Sequence, residues 1–96
     1  MRESEIEAYL VKRADALGGI VRQVRWIGRR GAPDRLVILP VLGAKRGPDA
    51  TIIFVELKAP GKPLRADQRG EHRILETAGA WVETIDSIEG VDALLK

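Results

Sequence analysis

The chain has no cysteine, a single histidine and a net charge of only +2 over 96 residues. Without cysteine there is no disulfide framework, no thiol nucleophile and no zinc-finger ligand set. No apolar run is long enough to span a bilayer, and Met1-Arg-Glu-Ser-Glu5 does not read as a secretory signal, so the cytoplasm is the expected location. Internal repeats, low-complexity stretches and interdomain linkers are also missing. What remains is one compact domain, residues 1–96, with ordinary hydrophobic (45%) and charged (31%) content. A core this small leaves stability thin unless packing is good or the chain associates.

The modest net charge hides an asymmetry. Residues 77–96 sum to −3, whereas residues 1–76 carry 15 basic against 10 acidic side chains, a surplus of +5. Arg29, Arg30, Arg35, Lys62, Arg65 and Arg69 lie in that basic part, with Arg25, Lys45, Arg46 and Arg73 nearby. A polyanionic partner fits this distribution; a solvated surface with scattered arginines is the plain alternative for any one of them.

The most informative stretch is Thr51-Ile-Ile-Phe-Val-Glu-Leu-Lys-Ala-Pro-Gly61. A β-branched apolar run ending in turn formers predicts a buried strand leading into a loop. Alternation places Ile52, Phe54, Glu56 and Lys58 on one side and Ile53, Val55 and Leu57 on the other. An acid and a base thus share an otherwise apolar face, where burial of charge is costly without a compensating partner such as a metal ion. The bland reading is a frayed strand end carrying a surface ion pair.

Upstream, Gly31-Ala-Pro-Asp34 opens a second apolar run, Arg35 to Leu39. Gly31 permits a free turn, and Pro33 biases Ala32 towards extended geometry. Asp34 is then either a turn aspartate introducing a strand or a second carboxylate at the mouth of the sheet beside Glu56. Paired hard oxygen ligands of this kind suit Mg²⁺ or Mn²⁺.

Pro33-Asp34, a gap, then Glu56-Leu57-Lys58 resembles the PD-(D/E)xK pattern of the restriction-endonuclease-like nucleases. The fuller set, Gly31-Ala-Pro-Asp-Arg-Leu36 with Phe54-Val-Glu-Leu-Lys-Ala-Pro-Gly-Lys62 and Gln68 beyond, is similar to the virus-type replication-repair nuclease (VRR-NUC) branch. That resemblance runs from the Glu-rich first helix to Gln68. It implies a restriction-endonuclease-like α/β fold of order αβββαβα, with a mixed central sheet flanked by helices. It implies Mg²⁺ or Mn²⁺ held by Asp34, Glu56 and the Leu57 carbonyl, with Lys58 orienting the attacking water or meeting developing charge, and Gln68 positioned towards the active site. The family also places one acidic residue of the first helix at the edge of the metal site. Glu3 and Glu7 both qualify, with Glu5 a weaker third choice. The activity implied is DNA endonuclease, as a homodimer selective for branched substrates such as four-way junctions in repair. Less specific duplex nicking, or a catalytically silent DNA-binding accessory module, are the alternatives. No nucleotide cofactor or membrane is expected.

The remaining elements follow from pattern. Ser4-Glu-Ile-Glu7 reads as a capping box opening a helix, with Ile6, Leu10, Ala14 and Leu17 on its buried stripe and Gly18-Gly19 at its end. Ile20 to Ile27 alternates as a first strand, in which Trp26 is read as a core or dimer contact rather than a base-stacking platform. Gly28-Arg-Arg-Gly31 is a flexible basic loop suited to phosphate. After Pro40, Leu42 to Asp49 predicts a hairpin connection with Lys45 and Arg46 at its tip. Leu64 to Thr77 predicts a helix carrying Gln68, His72 and Leu75 on one face, with Ile74 and Ala78 beside them, and Arg65, Arg69 and Arg73 as a basic stripe. A lone histidine there is a packing or surface residue on general grounds. Gly79 to Ile85 predicts a closing strand, and Asp86 an N-cap for a last helix, Ser87 to Leu95.

Overall fold

A computed structural model describes residues 1–40 and 50–95. The connection expected over 42–49, with Lys45 and Arg46, lies outside the described residues. Among them run α1 (Glu3–Ala16), β1 (Ile20–Gln23), β2 (Arg35–Leu39), β3 (Thr51–Leu57), α2 (Ala66–Thr77), β4 (Val82–Ile85) and α3 (Ile88–Leu94). The sheet order is β1-β2-β3-β4. The first three strands form an antiparallel meander, and α2 carries the chain over to β4, parallel to β3. Order and mixed sheet are those expected of αβββαβα.

The alternation of β3 builds the two layers. Ile53, Val55 and Leu57 face the core with Val37 of β2 and Ile85 of β4, and α1 and α3 cover them with Ile6, Leu10, Ala14, Val91 and Leu95. Each of these residues is at most 3% exposed, and their removal from water is the main apolar contribution this cluster makes to stability. A polar clasp joins the two helices: Tyr9 Oη donates to Asp92 at 2.7 Å, and Arg13 pairs with the same carboxylate and reaches the Leu95 carbonyl at 3.3 Å. Phe54, Glu56 and Lys58 point to the opposite face, under α2.

Local differences from the sequence expectations have identifiable causes. α1 begins at Glu3, and Glu5 rather than Glu7 closes its first turn, accepting from the Arg2 backbone N–H at 3.2 Å. Leu17, expected on the buried stripe, is 44% exposed because the helix has ended before it. β1 stops at Gln23 and β4 starts only at Val82, so both are shorter than their alternating patterns. α2 starts at Ala66, after the Pro63 loop, and leaves Ile74 and Ala78 exposed. Ser87 caps α3, accepting from Gly90 N–H at 2.9 Å. Asp86 instead accepts from the Gly61 N–H at 3.3 Å, tying the loop after β3 to the end of β4.

Candidate active site

Asp34 stands one step before β2. Its strand pairs antiparallel with β3 through Arg35↔Val55 and Leu36↔Phe54, so continuing that ladder sets Asp34 across from Glu56 on the same face. Three tethers hold the approach to it. The Val24 N–H donates to the Asp34 carbonyl at 2.9 Å. Trp26 Nε1 donates to the carbonyl of buried Pro33 at 2.8 Å, while its ring packs on Phe54 at 5.5 Å between centroids. The same tryptophan thus fixes the strand carrying Asp34 against the strand carrying Glu56.

Glu56 and Lys58 are each 6% exposed. This excludes a frayed, solvated strand end. Lys58 continues the parallel pairing, its N–H donating to the Ile85 carbonyl at 2.9 Å, so both charged groups stand on paired backbone.

Asp34, Glu56, Leu57 and Lys58 line one cleft of about 340 Å³. Glu3 of α1 closes one edge, Lys62 and Arg65 another, and Gln68 of α2 forms part of the wall. Burial pushes the Glu56 carboxyl up to about 7, and the Asp34 charge across the ladder adds to the rise. Lys58 and Arg65 oppose it, and Glu3 reinforces it. Among the described residues no three His, Asp or Glu side chains form a closed metal cage. The donor set is instead two hard carboxylates beside a backbone carbonyl in an open cleft, which suits an ion that keeps several of its waters, as Mg²⁺ does.

The structure separates the two acids of α1. Glu3 lines the cleft. Glu7 pairs with Arg35, whose side chain is only 13% exposed and which also reaches Asp34 Oδ2 at 3.1 Å. Arg35 shares the Val55 face of the sheet, below α1, and is engaged there rather than on the open basic surface. Arg29 is likewise committed, to buried Glu71. Arg30 is 90% exposed, with Asp67 3.9 Å away. Arg65 pairs with Asp67 at 3.1 Å, and Arg69 reaches the Leu64 carbonyl at 2.7 Å. Gln68 Oε1 accepts from the Arg65 N–H at 2.8 Å, capping α2 and leaving its –NH₂ end for the cleft.

Sequence reasoning did not single out Glu71, Asp67 or a role for His72 at this site. The available signal was a mismatch: the face of α2 turned to the sheet carries Gln68, Glu71 and His72, all buried, where a packing helix would carry apolar residues. His72 Nε2 lies 3.5 Å from Glu56 Oε1, and burial lowers its pKa.

The cleft lies on the mixed sheet of an α/β nuclease-domain fold, as comparison with known proteins shows. A protein of Acyrthosiphon pisum secondary endosymbiont phage 1 that carries the name "Putative nuclease p44" is 42% identical over 87 residues, spanning 91% of this chain and 85% of the relative. A solved structure described as a VRR_NUC domain superposes with a TM-score of 0.79 at 38% identity, over 96% of this chain and 91% of that one. No protein-family model matches the chain. The chain belongs to the VRR_NUC family of nuclease domains.

Proposed function

We propose that this chain is a divalent-cation-dependent DNA endonuclease, acting as a homodimer on branched DNA. The observation that carries the reading is the convergence of Asp34, Glu56 and Lys58 in one cleft with Glu3 and Gln68. Two facing carboxylates, one with its pKa raised to about 7, form a site that a cation relieves. Asp34, Glu56 and the Leu57 carbonyl are the groups to hold Mg²⁺ or Mn²⁺, which supplies charge for the phosphate oxygens and an acidified water.

The chain's own groups do the rest. Lys58, buried one strand step past Glu56, orients the attacking water and meets charge developing on the phosphate. The Gln68 –NH₂ group, held by its capped oxygen, donates towards the nucleophile. Lys62 and Arg65 at the cleft edge, with exposed Arg30 and Arg69 beyond, bind the flanking phosphates. Arg35 and Arg29 are assigned to holding Asp34 and its loop. The dimer is supported by apolar side chains that one copy leaves in water, Ile27 at 92%, Ile52 at 51% and Trp81 at 46% exposed, and two copies present two sites for symmetric incision.

The test is cleavage of labelled junction, flap and linear duplex with Mg²⁺, Mn²⁺ or EDTA, with sizing at several concentrations. Junction products that require metal and vanish in Asp34→Ala, Glu56→Ala and Lys58→Ala, each still folded and binding DNA, are the expected result. Equal cutting of all substrates means a less specific duplex-nicking enzyme. Binding without products means a silent accessory module, and Lys58→Ala cutting normally overturns the assigned roles.

A further inference from the structure

We propose that His72 is the positioning residue for Glu56: its Nε2–H donates to Oε1 and leaves the second carboxylate oxygen for the cation. This rests on the reading of the cleft as a metal site. Glu56 occupies a middle strand, but nothing on its own strand fixes the rotation of its carboxylate. The side chain that reaches it comes from the helix crossing above.

The two side chains are 6% and 8% exposed, so both are largely withdrawn from solvent where they meet. Among the described residues, Nε2 of His72 is the buried side-chain atom without a hydrogen-bond partner. A buried polar atom left without a partner is destabilising, and a native fold that carries one calls for an explanation, a bound ion or a functional role among them. The 3.5 Å separation lies just outside hydrogen-bond range, and a shift of about 0.5 Å closes it. The acids of α2 do not hold this nitrogen, since Glu71 is occupied by Arg29 and Glu76 is exposed on the outer turn. The other polar groups acting on the ring are Lys58 and the Gly31 backbone. Gln68, one turn earlier on the same face, already spends its oxygen on the helix cap. Carboxylates that bind metals are themselves held by hydrogen bonds in this manner, and the holding group governs metal affinity.

A merely space-filling histidine predicts something different from a donor, and the two are separable on the full chain. His72→Leu keeps bulk and removes the donor; His72→Gln keeps an amide N–H near the position of Nε2. The probe is Mn²⁺ titrated calorimetrically into metal-free protein, with melting temperature recorded for each variant. His72→Leu is expected to weaken Mn²⁺ binding by about 10–100-fold, and His72→Gln to stay close to wild type. Cleavage at saturating Mn²⁺ should recover in His72→Leu with KM for DNA unchanged. Equal Mn²⁺ affinity in all three, or equal loss in both variants, overturns the proposal. An independent check needs no substitution, because the chain has one histidine and its imidazole signals are unambiguous. Saturating Mg²⁺ should bring up a slowly exchanging Nε2–H proton in the NMR spectrum; an unchanged imidazole overturns the proposal even if His72→Leu fails to fold. Failure of the underlying reading looks different: the wild type itself then binds no Mn²⁺, or Asp34→Ala binds it as well as wild type does.

Discussion

Arg29 grips Glu71 with two guanidinium nitrogens, Nε donating at 3.2 Å and Nη2 to the second oxygen. The pair joins residues 42 apart and fastens the Gly28–Gly31 loop to α2, just upstream of Asp34. Glu71 is buried, and the guanidinium holds its carboxyl below the usual range.

The prediction follows from that geometry. Arg29→Ala and Glu71→Ala should both lower the melting temperature and reduce turnover by about 10–100-fold, because the loop that presents Asp34 loses its anchor. DNA affinity and its salt dependence should stay nearly constant. If Arg29 is a phosphate contact instead, Arg29→Ala alone will lower the salt slope by about 1. The charge-swapped double variant, Arg29→Glu with Glu71→Arg, should recover part of both losses.

Glu3 and Glu7 should behave as different kinds of residue. Glu3 is exposed and lines the cleft, so Glu3→Gln should cut turnover while leaving the melting temperature unchanged. Glu7 holds Arg35, so Glu7→Gln should cost about 1 kcal/mol of stability, the upper range for a partly exposed pair. Thermal melts beside single-turnover cleavage decide it. A Glu7→Gln variant of full stability and no activity would reverse the assignment.

Much of this was legible in the chain because its local signals agreed. The β3 run, the Gly-Ala-Pro-Asp turn and the two glycines after α1 each specify their own geometry, and the strand alternation alone put Glu56 and Lys58 on one face. What was not legible depends on contacts distant in sequence. Whether Arg35 meets DNA or Glu7 is decided by the register Arg35↔Val55, which turns it under α1. Trp26 looked like a core or dimer residue, whereas its indole N–H reaches Pro33 across a turn whose shape no periodicity encodes. The choice between Glu3 and Glu7 turned on a helix start displaced by two residues, and boundaries are where propensity arguments are weakest.

The raised carboxyl of Glu56 makes the metal-free protein sensitive to pH. Its pKa is about 7 in the fold against an ordinary 4.5, so the folded chain holds this proton more tightly than the unfolded chain. Ionising Glu56 is therefore unfavourable to folding. The penalty is absent below about pH 4.5, grows as pH rises towards about 7 and is constant above, at a total on the order of 3 kcal/mol. In EDTA, urea unfolding should show Glu56→Gln gaining on wild type across that window and exceeding it above pH 7. Added Mg²⁺ should then stabilise wild type and leave Glu56→Gln unmoved. Parallel pH profiles for the two proteins would remove the basis for this.

Gly31 lies where the loop meets the first turn of α2, and a side chain there has no room. Its φ is +83°, and a Cβ would stand 2.4 Å from the Asp67 carbonyl oxygen and 2.8 Å from the Gln68 nitrogen. Gly28 and Gly61 have similar φ values, +80° and +77°, with nothing within 4 Å of the added carbon. Alanine at either of those should cost only the left-handed backbone penalty, about 1–2 kcal/mol. Gly31→Ala should add about 1–3 kcal/mol of overpacking, since backbone cannot rotate aside as a side chain can. The displaced turn carries the Gln68 cap, so turnover should fall in Gly31→Ala far more than in Gly61→Ala. Denaturant midpoints for the three variants, measured beside single-turnover rates, provide the comparison. If Gly31→Ala is no less stable than Gly28→Ala, loop and helix are not in the close contact that holds Asp34 opposite Glu56.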